Sequence, residues 1–231
     1  MCSSDLSRRR AGLAPPVLAL AVELKVYTID GRGTPGRLLV LIHGFGANEF
    51  HLASYGPLID PAARFLVAAP RGPIHIPADG AAWWDIDLQT FAFDYSLLDG
   101  SLAALDRTID QLCADRGMTR ADAVIGGFSQ GGALSLALAY RRGAAAVAGV
   151  ICLSGFIIGD GLIDWDVAAH ADTPAFVGHG VQDTFVGLDR SAETVELLTG
   201  NGVTVQSHEY PIGHDISLDE LVDVTNWLAQ R

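Results

Sequence analysis

The chain has 231 residues with 15 basic and 27 acidic side chains, a formal net charge of −12 at pH 7. This acidic balance argues against nucleic acids and anionic membrane surfaces as partners. No apolar run reaches the roughly 20 residues of a membrane span, and the length suits one large α/β domain that buries its own core.

Residues 1–16 are predicted to form a flexible tail, followed by a single folded domain over 17–231. A basic stretch and then an apolar one faintly resemble a signal peptide, but Pro15 and Pro16 interrupt the apolar part and no clean cleavage site follows. The peptide from Cys2 to Leu6 can be encoded by bases that resemble a sequencing adapter. This raises the hypothesis that the first six residues are an artefact of sequence assembly.

The three cysteines, Cys2, Cys113 and Cys152, form neither a metal-binding spacing nor an even disulfide set. Cys113 falls on a predicted helix and Cys152 in an apolar strand, so both are predicted to be buried thiols. A reducing compartment is the simplest interpretation, and a cytoplasmic protein is expected. The seven histidines include no pair at metal-ligand spacing with acidic support, so no metal site is expected.

The first half of the chain predicts an edge strand or two over 18–29 and a central strand over 37–42. The second run is continuously apolar, as in a parallel strand buried on both faces. It leads directly into a glycine-rich loop over 43–48, at the end of a strand where α/β sheets bind ligands. Such a loop would let the backbone N–H of Phe45 point at a substrate oxygen. A plain strand-to-helix turn is the alternative.

A long loop is predicted between two helical regions. The elements in order are a short helix, a buried strand, the loop and an amphipathic helix, over 49–58, 64–69, 70–94 and 95–116. Loops of this length in a compact domain are usually functional. Trp83 and Trp84 on this loop could wall an acyl pocket or could equally cover an edge of the core.

The Gly-Phe-Ser-Gln-Gly motif at 127–131 lies between an apolar strand and a run of helix formers. A strand, a sharp turn at Ser129 and a helix are the context of a nucleophile elbow. Gly127 and Gly131 lack a Cβ, so strand and helix can approach closely. The helix beginning at Gln130 aims free N–H groups at the reacting centre. A glycine-rich turn with an incidental serine is the alternative.

The second half of the chain continues the alternation of strands and helices. Strands are predicted over 148–153, 173–180 and 203–210, and a last helix over 217–230 begins with a capping box, Ser217 and Glu220. The segment 156–173 is the only candidate lid, and it is too short for a large cap. The fold class is therefore α/β, with a mostly parallel central sheet flanked by helices.

The candidate catalytic residues all follow strands, in the order Ser129, Asp183, His214, which is that of an α/β-hydrolase triad. Ser129 needs a base to become a nucleophile. His214 can take its proton near neutral pH and return it to the leaving group, while Asp183 would fix the imidazole tautomer. The N–H groups of Gln130 and Phe45 would form the oxyanion hole.

Other histidines and aspartates compete for these roles. His208 lies within a strand and His179 just before a glycine, so both are interpreted as structural. Asp215, next to His214, is expected to point away, and Asp189 lies too far into the following helix. His214 and Asp183 remain the favoured pair.

These motifs together resemble the phospholipase/carboxylesterase family of α/β-hydrolases, which includes bacterial carboxylesterases and acyl-protein thioesterases. The resemblance covers roughly residues 38–230 and rests on the segments 43–46, 83–85, 127–132, 153–155, 179–183 and 213–214. It implies a small, lid-poor serine esterase that cleaves carboxylic esters and sometimes thioesters without a cofactor. Trp84 and Phe156 are the candidate substrate-binding residues.

The sequence departs from the family pattern at two places beside the site. Thr184-Phe185 stands where the family usually has proline and a small aliphatic residue, and segment 71–80 looks unlike its usual counterpart. The prediction is a hydrolase of small-molecule esters with short to medium acyl chains. An acyl-protein thioesterase or lysophospholipase, and a non-catalytic binding protein of the same fold, are the alternatives.

Overall fold

The computed structural model describes residues 23–33, 35–87, 89–90, 92–159 and 161–231. The tail predicted over 1–16, Cys2 and the beginning of the edge strand predicted from residue 18 lie outside these ranges. Within them, Cys113 and Cys152 are free and buried, which confirms the prediction from their sequence context.

The strands alternate with helices along the chain. In order, the strands are β1 (Val26–Ile29), β2 (Arg37–Ile42), β3 (Phe65–Pro70), β4 (Ile74–Ile76), β5 (Gly80–Ala82), β6 (Asp85–Ile86), β7 (Phe93–Asp94), β8 (Ala123–Phe128), β9 (Gly149–Leu153), β10 (Ala175–Gly180) and β11 (Val205–Tyr210). The α-helices are α1 (Glu49–Ala53), α2 (Gly56–Ile59), α3 (Leu98–Asp115), α4 (Gln130–Tyr140), α5 (Leu188–Gly200) and α6 (Leu218–Leu228). None of these helices is long and apolar enough to cross a membrane.

Among the described residues, seven strands form the central sheet, in the order β1-β3-β2-β8-β9-β10-β11. Only β1 is antiparallel to its neighbour, and the other adjacent strands run parallel. The inner strands are buried on both faces, because apolar clusters cover the sheet on each side. Residues of α3, α4 and α5 belong to one cluster, and residues of α1, α2 and α6 belong to the other. The predicted α/β class is thereby confirmed.

Two regions differ from the sequence prediction. The helix predicted over 49–58 is divided into α1 and α2, because Pro57 lies in the first turn of α2 and lacks the N–H that a continuous helix would need. The loop predicted over 70–94 contains two small antiparallel hairpins, β4–β5 and β6–β7.

The parallel direction of the strands determines where the functional loops meet. The carboxyl ends of β2, β8, β10 and β11 lie at one edge of the sheet, and each continues into a segment that the sequence marks as a candidate. Residues separated by up to 170 positions in the chain therefore converge on one site, as expected for this architecture.

One acidic side chain lies in the apolar layer between β10 and α6. Glu220 is 1% exposed, and its carboxylate fills the space left free at Gly178. Only half of the predicted capping box forms: the Ser217 hydroxyl accepts the Glu220 N–H at 3.1 Å, while neither carboxylate oxygen has a well-aligned hydrogen bond to a described residue. Burial raises the pKa of Glu220 to about 7; the Ser217 backbone opposes the rise, and Asp215 and Asp223 add to it.

We expect Glu220→Gln to gain stability relative to the unmodified chain as the pH rises from 4.5 to 8. The folded-state pKa of about 7 lies above the ordinary value of 4.5. The contribution of this carboxyl group to the free energy of unfolding is therefore complete below pH 4.5 and is lost as the pH rises through about 7. The glutamine avoids that loss, worth about 1–3 kcal/mol at pH 8.

The measurement is the free energy of unfolding in urea for both proteins at several pH values. Groups that titrate in both proteins cancel in the difference, and so does any fixed cost of burying the amide. A difference that does not change with pH would show that Glu220 does not titrate in this range.

Candidate active site

Ser129 occupies the turn between β8 and α4 in a strained conformation, with φ 56° and ψ −116°. A non-glycine residue in such a conformation costs about 1–3 kcal/mol and persists only where its surroundings enforce it. Here the Ser129 N–H donates to the Leu153 carbonyl at 2.9 Å, and the Ser129 carbonyl accepts from Ala133 at 3.0 Å. The turn is thus tied both to the neighbouring strand and to the helix that follows.

The two glycines that flank Ser129 are required by close packing. A Cβ on Gly127 would collide with the backbone of Gly131, and a Cβ on Gly131 would collide with the carbonyl group of Ile42 on β2. Strand, turn and helix therefore approach more closely than side chains would allow. The geometry is that of the nucleophile elbow predicted from the motif.

The structure brings Ser129, His214 and Asp183 together in a chain of hydrogen bonds. The Ser129 hydroxyl lies 3.0 Å from His214 Nε2, and His214 Nδ1–H donates to Asp183 Oδ2 at 2.6 Å. The other oxygen, Asp183 Oδ1, accepts the backbone N–H groups of Phe185 and Val186, each at 2.9 Å. The Asp183 side chain is fully buried, and His214 is 18% exposed. The carboxylate is thus held on one side by its own loop and faces the imidazole on the other.

The competing histidines lie elsewhere. His208 on β11 is hydrogen-bonded to Gln206 at 2.9 Å and lies 3.4 Å from Asp223. His179 is buried beside the triad: its Nε2–H donates to the Val186 carbonyl at 2.8 Å, and Nε2 lies 3.6 Å from Asp183. His179 therefore supports the loop of the carboxylate.

The two competing aspartates, Asp215 and Asp189, lie away from the hydrogen bonds of Ser129 and His214. Asp215 accepts the N–H of Ile216 at 2.8 Å, and Asp189 lies in the first turn of α5. Within the described ranges, no group of three or more His, Cys, Asp and Glu side chains is arranged to hold a metal ion.

Two backbone N–H groups are available beside Ser129. Phe45 and Gln130 both line the cavity over the serine, and neither N–H has an acceptor among the residues that the structure describes. Gln130 is the first residue of α4, where an N–H has no acceptor within the helix. These are the groups that the sequence predicts as the oxyanion hole.

The side chain of His43 fixes the loop that carries Phe45. Its Nδ1–H donates to the Gly44 carbonyl at 2.7 Å, and its Nε2 accepts the Gly72 N–H at 3.0 Å. Burial lowers the pKa of His43 to about 4, although the bond to Gly44 opposes this change. The neutral imidazole can therefore act as donor and acceptor at once, and it joins this loop to the start of segment 71–80.

The structure does not place Trp84 at the cavity, in contrast to the expectation from the sequence. The side chain is fully buried and packs behind Phe156, with ring centroids 6.4 Å apart. Trp83 N–H donates to the side-chain oxygen of Gln130 at 3.1 Å, and the Gln130 amide donates to the Trp84 carbonyl at 2.9 Å. The tryptophan pair thus supports Gln130, the residue that follows Ser129.

A cavity of about 490 Å³ opens over Ser129 and His214. Phe156, the second predicted substrate-binding residue, does line it. Its apolar wall is formed by Ile86, Phe93, Phe128, Phe156, Phe185 and Val186. The volume and the apolar lining with a few polar groups are typical of sites for small molecules.

No large cap covers this cavity in the described part of segment 154–173. The only helical element there is a single 3₁₀ turn, Val167–His170. The apolar residues Ile158, Ile163 and Val167 are buried in the main core, so the segment packs onto the domain and leaves the cavity open.

Several cavity residues were not predicted from the sequence. Phe93 and Ile86 belong to the small β6–β7 hairpin, and His51 comes from α1. Burial lowers the pKa of His51, and Asp215 opposes that change. Phe185 could have been found from the sequence, since it departs from the family pattern two residues after Asp183, the candidate catalytic aspartate.

Comparison with known proteins identifies the family. The sequence model of the phospholipase/carboxylesterase family matches residues 25–231. Acyl-protein thioesterase 1 of Saccharomyces cerevisiae is 29% identical over 214 residues, covering 83% of this chain and 91% of the relative. Acyl-protein thioesterase 1 of Neurospora crassa is 28% identical over 257 residues, covering 99% and 94%.

Solved structures share the fold. Esterase PE8 superimposes with a TM-score of 0.79 at 25% identity, covering 90% of this chain and 99% of that one. The carboxylesterase of Bacillus cereus gives a TM-score of 0.77 at 21% identity, covering 90% and 94%. The overall fold is therefore shared with known esterases.

Proposed function

Because the chain belongs to the phospholipase/carboxylesterase family of hydrolases, we propose that it is a serine carboxylic ester hydrolase. It acts through an acyl-enzyme on esters with short to medium acyl chains. The observation that carries this proposal is the hydrogen-bonded series from Ser129 through His214 to Asp183, with spacings of 3.0 and 2.6 Å, opening into an apolar cavity.

In the first half-reaction the Ser129 hydroxyl attacks the ester carbonyl carbon while His214 Nε2 takes its proton. The negative charge that develops on the carbonyl oxygen is stabilised by the N–H groups of Phe45 and Gln130. One such donor is worth about 3 kcal/mol in the transition state. The imidazolium then returns the proton to the leaving alcohol as the carbon–oxygen bond breaks, which leaves the acyl group on Ser129.

In the second half-reaction water takes the place of the serine hydroxyl. His214 accepts a proton from the water as it attacks the acyl carbon, and then protonates Ser129 as the acid departs. Asp183 holds the imidazole in the tautomer with the proton on Nδ1 and stabilises the imidazolium. Its remaining oxygen is engaged by two backbone N–H groups, so its orientation does not depend on the substrate.

The direct test is hydrolysis of a nitrophenyl ester by the purified protein, followed on the millisecond scale. An initial burst of nitrophenol that matches the enzyme concentration would support an acyl-enzyme. Absence of any turnover with a series of such esters would contradict the proposal and favour a non-catalytic binding protein.

We expect kcat/KM to be highest for acyl chains of short to medium length. Since no large cap covers the cavity in the part of the chain that the structure describes, the outer part of a long acyl chain would stay in water, and each CH₂ that is not buried forgoes about 0.8 kcal/mol. The measurement is kcat/KM for nitrophenyl esters from acetate to palmitate, below and above their aggregation point. A maximum at laurate or longer, or a rate increase at aggregation, would favour the lysophospholipase alternative or the acyl-protein thioesterase alternative, the latter being the name of the two relatives.

A further inference from the structure

A second cavity of about 370 Å³ adjoins the one over Ser129. The two share Phe93, Phe156, Phe185 and Val186 as common walls. The mechanism above uses the first cavity and gives no role to the second. Since the walls are shared, a ligand with its reactive carbonyl group at Ser129 could extend from one cavity into the other.

The chemistry of the triad indicates which part of an ester would point that way. The acyl carbonyl oxygen must face the N–H groups of Phe45 and Gln130, whereas the leaving oxygen must lie within reach of His214 Nε2 to receive its proton. The Phe185 ring lies beside His214, with centroids 5.6 Å apart, and this ring lines both cavities. Phe128 lies on another side of the imidazole, with centroids 4.7 Å apart, and lines only the first cavity. A leaving group on the Phe185 side of His214 could therefore extend into the second cavity.

The walls of the second cavity favour a flat apolar group. Phe93 and Phe156 are stacked, with centroids 5.9 Å apart and an interplanar angle of 18°. The Arg190 guanidinium lies over the Phe156 ring at 5.7 Å and donates to the Ile157 carbonyl at 2.9 Å. The Arg190 charge is paired with Glu193 at 2.7 Å, so this side chain gives the cavity no preference for an anionic ligand.

Phe185 is the residue that this arrangement depends on most. It is 66% exposed, a large fraction for an aromatic side chain at the mouth of a cavity, so a bound ring would remove much apolar surface from water. Aromatic pairs add about 0.5–1.5 kcal/mol beyond burial alone.

We propose that the second cavity is a leaving-group subsite for aromatic alcohols and that Phe185 determines this specificity. The inference rests on the proposed function and specifies its substrate class as aryl esters. In the reaction the bond from Ser129 Oγ to the acyl carbon forms, the bond from that carbon to the aryl oxygen breaks, and the proton taken from Ser129 ends on the phenol.

Two variants alter the subsite without changing the triad. Phe185→Ala removes the shared wall. Gly159→Leu adds a large side chain at a residue that lines the second cavity and not the first. Gly159 has no positive φ, and an added Cβ would meet no described atom within 4 Å. Leu58→Ala, on an exposed apolar residue of α2, is the matched control.

The test compares 1-naphthyl acetate with ethyl acetate, which share the acyl group. Each variant is compared with the unmodified chain on the same ester, so the greater intrinsic reactivity of the aryl ester cancels. We expect Gly159→Leu to lose about tenfold in kcat/KM on the naphthyl ester and less than about twofold on the ethyl ester. Phe185 also lines the first cavity, so Phe185→Ala is judged by the ratio of kcat/KM on the naphthyl ester to that on the ethyl ester, which should fall about tenfold. Leu58→Ala should change neither.

A binding measurement separates the subsite from catalysis. 1-Naphthol should bind Ser129→Ala protein, and adding Gly159→Leu should weaken that binding about tenfold. Equal losses on both esters, or no loss on either, would overturn the subsite while leaving the esterase proposal intact. No hydrolysis of either ester by the unmodified chain, with naphthol still bound, would instead overturn the esterase proposal.

Discussion

Ser129→Ala should lower kcat for ester hydrolysis by a factor of about 10⁴ to 10⁶ without unfolding the protein. The hydroxyl group supplies the bond that forms in the acyl-enzyme, and no other nucleophile contacts His214 Nε2 among the described residues. The backbone strain at φ 56° is carried by the hydrogen bonds of the turn, which alanine keeps. The melting temperature should therefore change by only a few degrees, while activity is lost.

The matched control is Ser154→Ala. Ser154 also has a positive φ, 46°, and its hydroxyl is buried without a hydrogen-bond partner among the described residues. The two substitutions thus remove the same atom from two residues that share a positive φ. Mass spectrometry after an organophosphate should find one adduct, on Ser129, in the unmodified protein and in the control. Full activity in Ser129→Ala, or an adduct on another residue, would overturn the assignment of the nucleophile.

His214→Ala should lose about 10⁵ to 10⁶ in kcat, and Asp183→Asn about 10⁴. The base is required chemically, whereas the aspartate orients it and stabilises its charge. Asparagine is the informative change at 183, because its oxygen can still accept the N–H groups of Phe185 and Val186. Its amide would then face His214 Nδ1 as a donor and favour the wrong tautomer. Alanine would instead leave two buried N–H groups unpaired and disturb the cavity wall.

The control for the base is His208→Ala, which should keep its activity within about threefold, since His208 lies on β11 and bonds to Gln206. Retained activity in His214→Ala together with loss in His208→Ala would show that the base is His208.

The parts predicted correctly from the sequence depend on local patterns. The continuous apolar run gave the bounds of β2 at 37–42, and the Gly-x-Ser-x-Gly context gave the helix that starts at Gln130. The three triad candidates also converge, since parallel strands bring loops at their carboxyl ends to one edge. In the first two cases the controlling interaction is local, namely the burial of one strand or the conformation of one turn, whereas the convergence follows from the parallel direction of the strands.

The parts that could not be predicted depend on contacts between distant segments. Whether Trp84 faces substrate or core is decided by the Gln130 side chain, 46 residues away, which binds its carbonyl. The pairing of β6 with β7 depends on a loop closing on itself rather than on apolar periodicity. Phe93 therefore reaches the cavity through a hairpin that the sequence does not indicate.

Gln130 connects the cavity to the tryptophan pair, which limits how segments of this protein can be exchanged with those of its relatives. Gln130 lines the cavity. Its side-chain amide also accepts the Trp83 N–H and donates to the Trp84 carbonyl. A chimera could take segment 71–94 from another esterase whose backbone differs at the tryptophan pair. The buried Gln130 amide would then lose its hydrogen-bond partners, and the first turn of α4 would shift. Segment 71–94 and the turn at Ser129 should therefore be exchanged together in libraries that aim to change the substrate range. Substitutions at Phe185 are the alternative, since they leave these two segments unchanged.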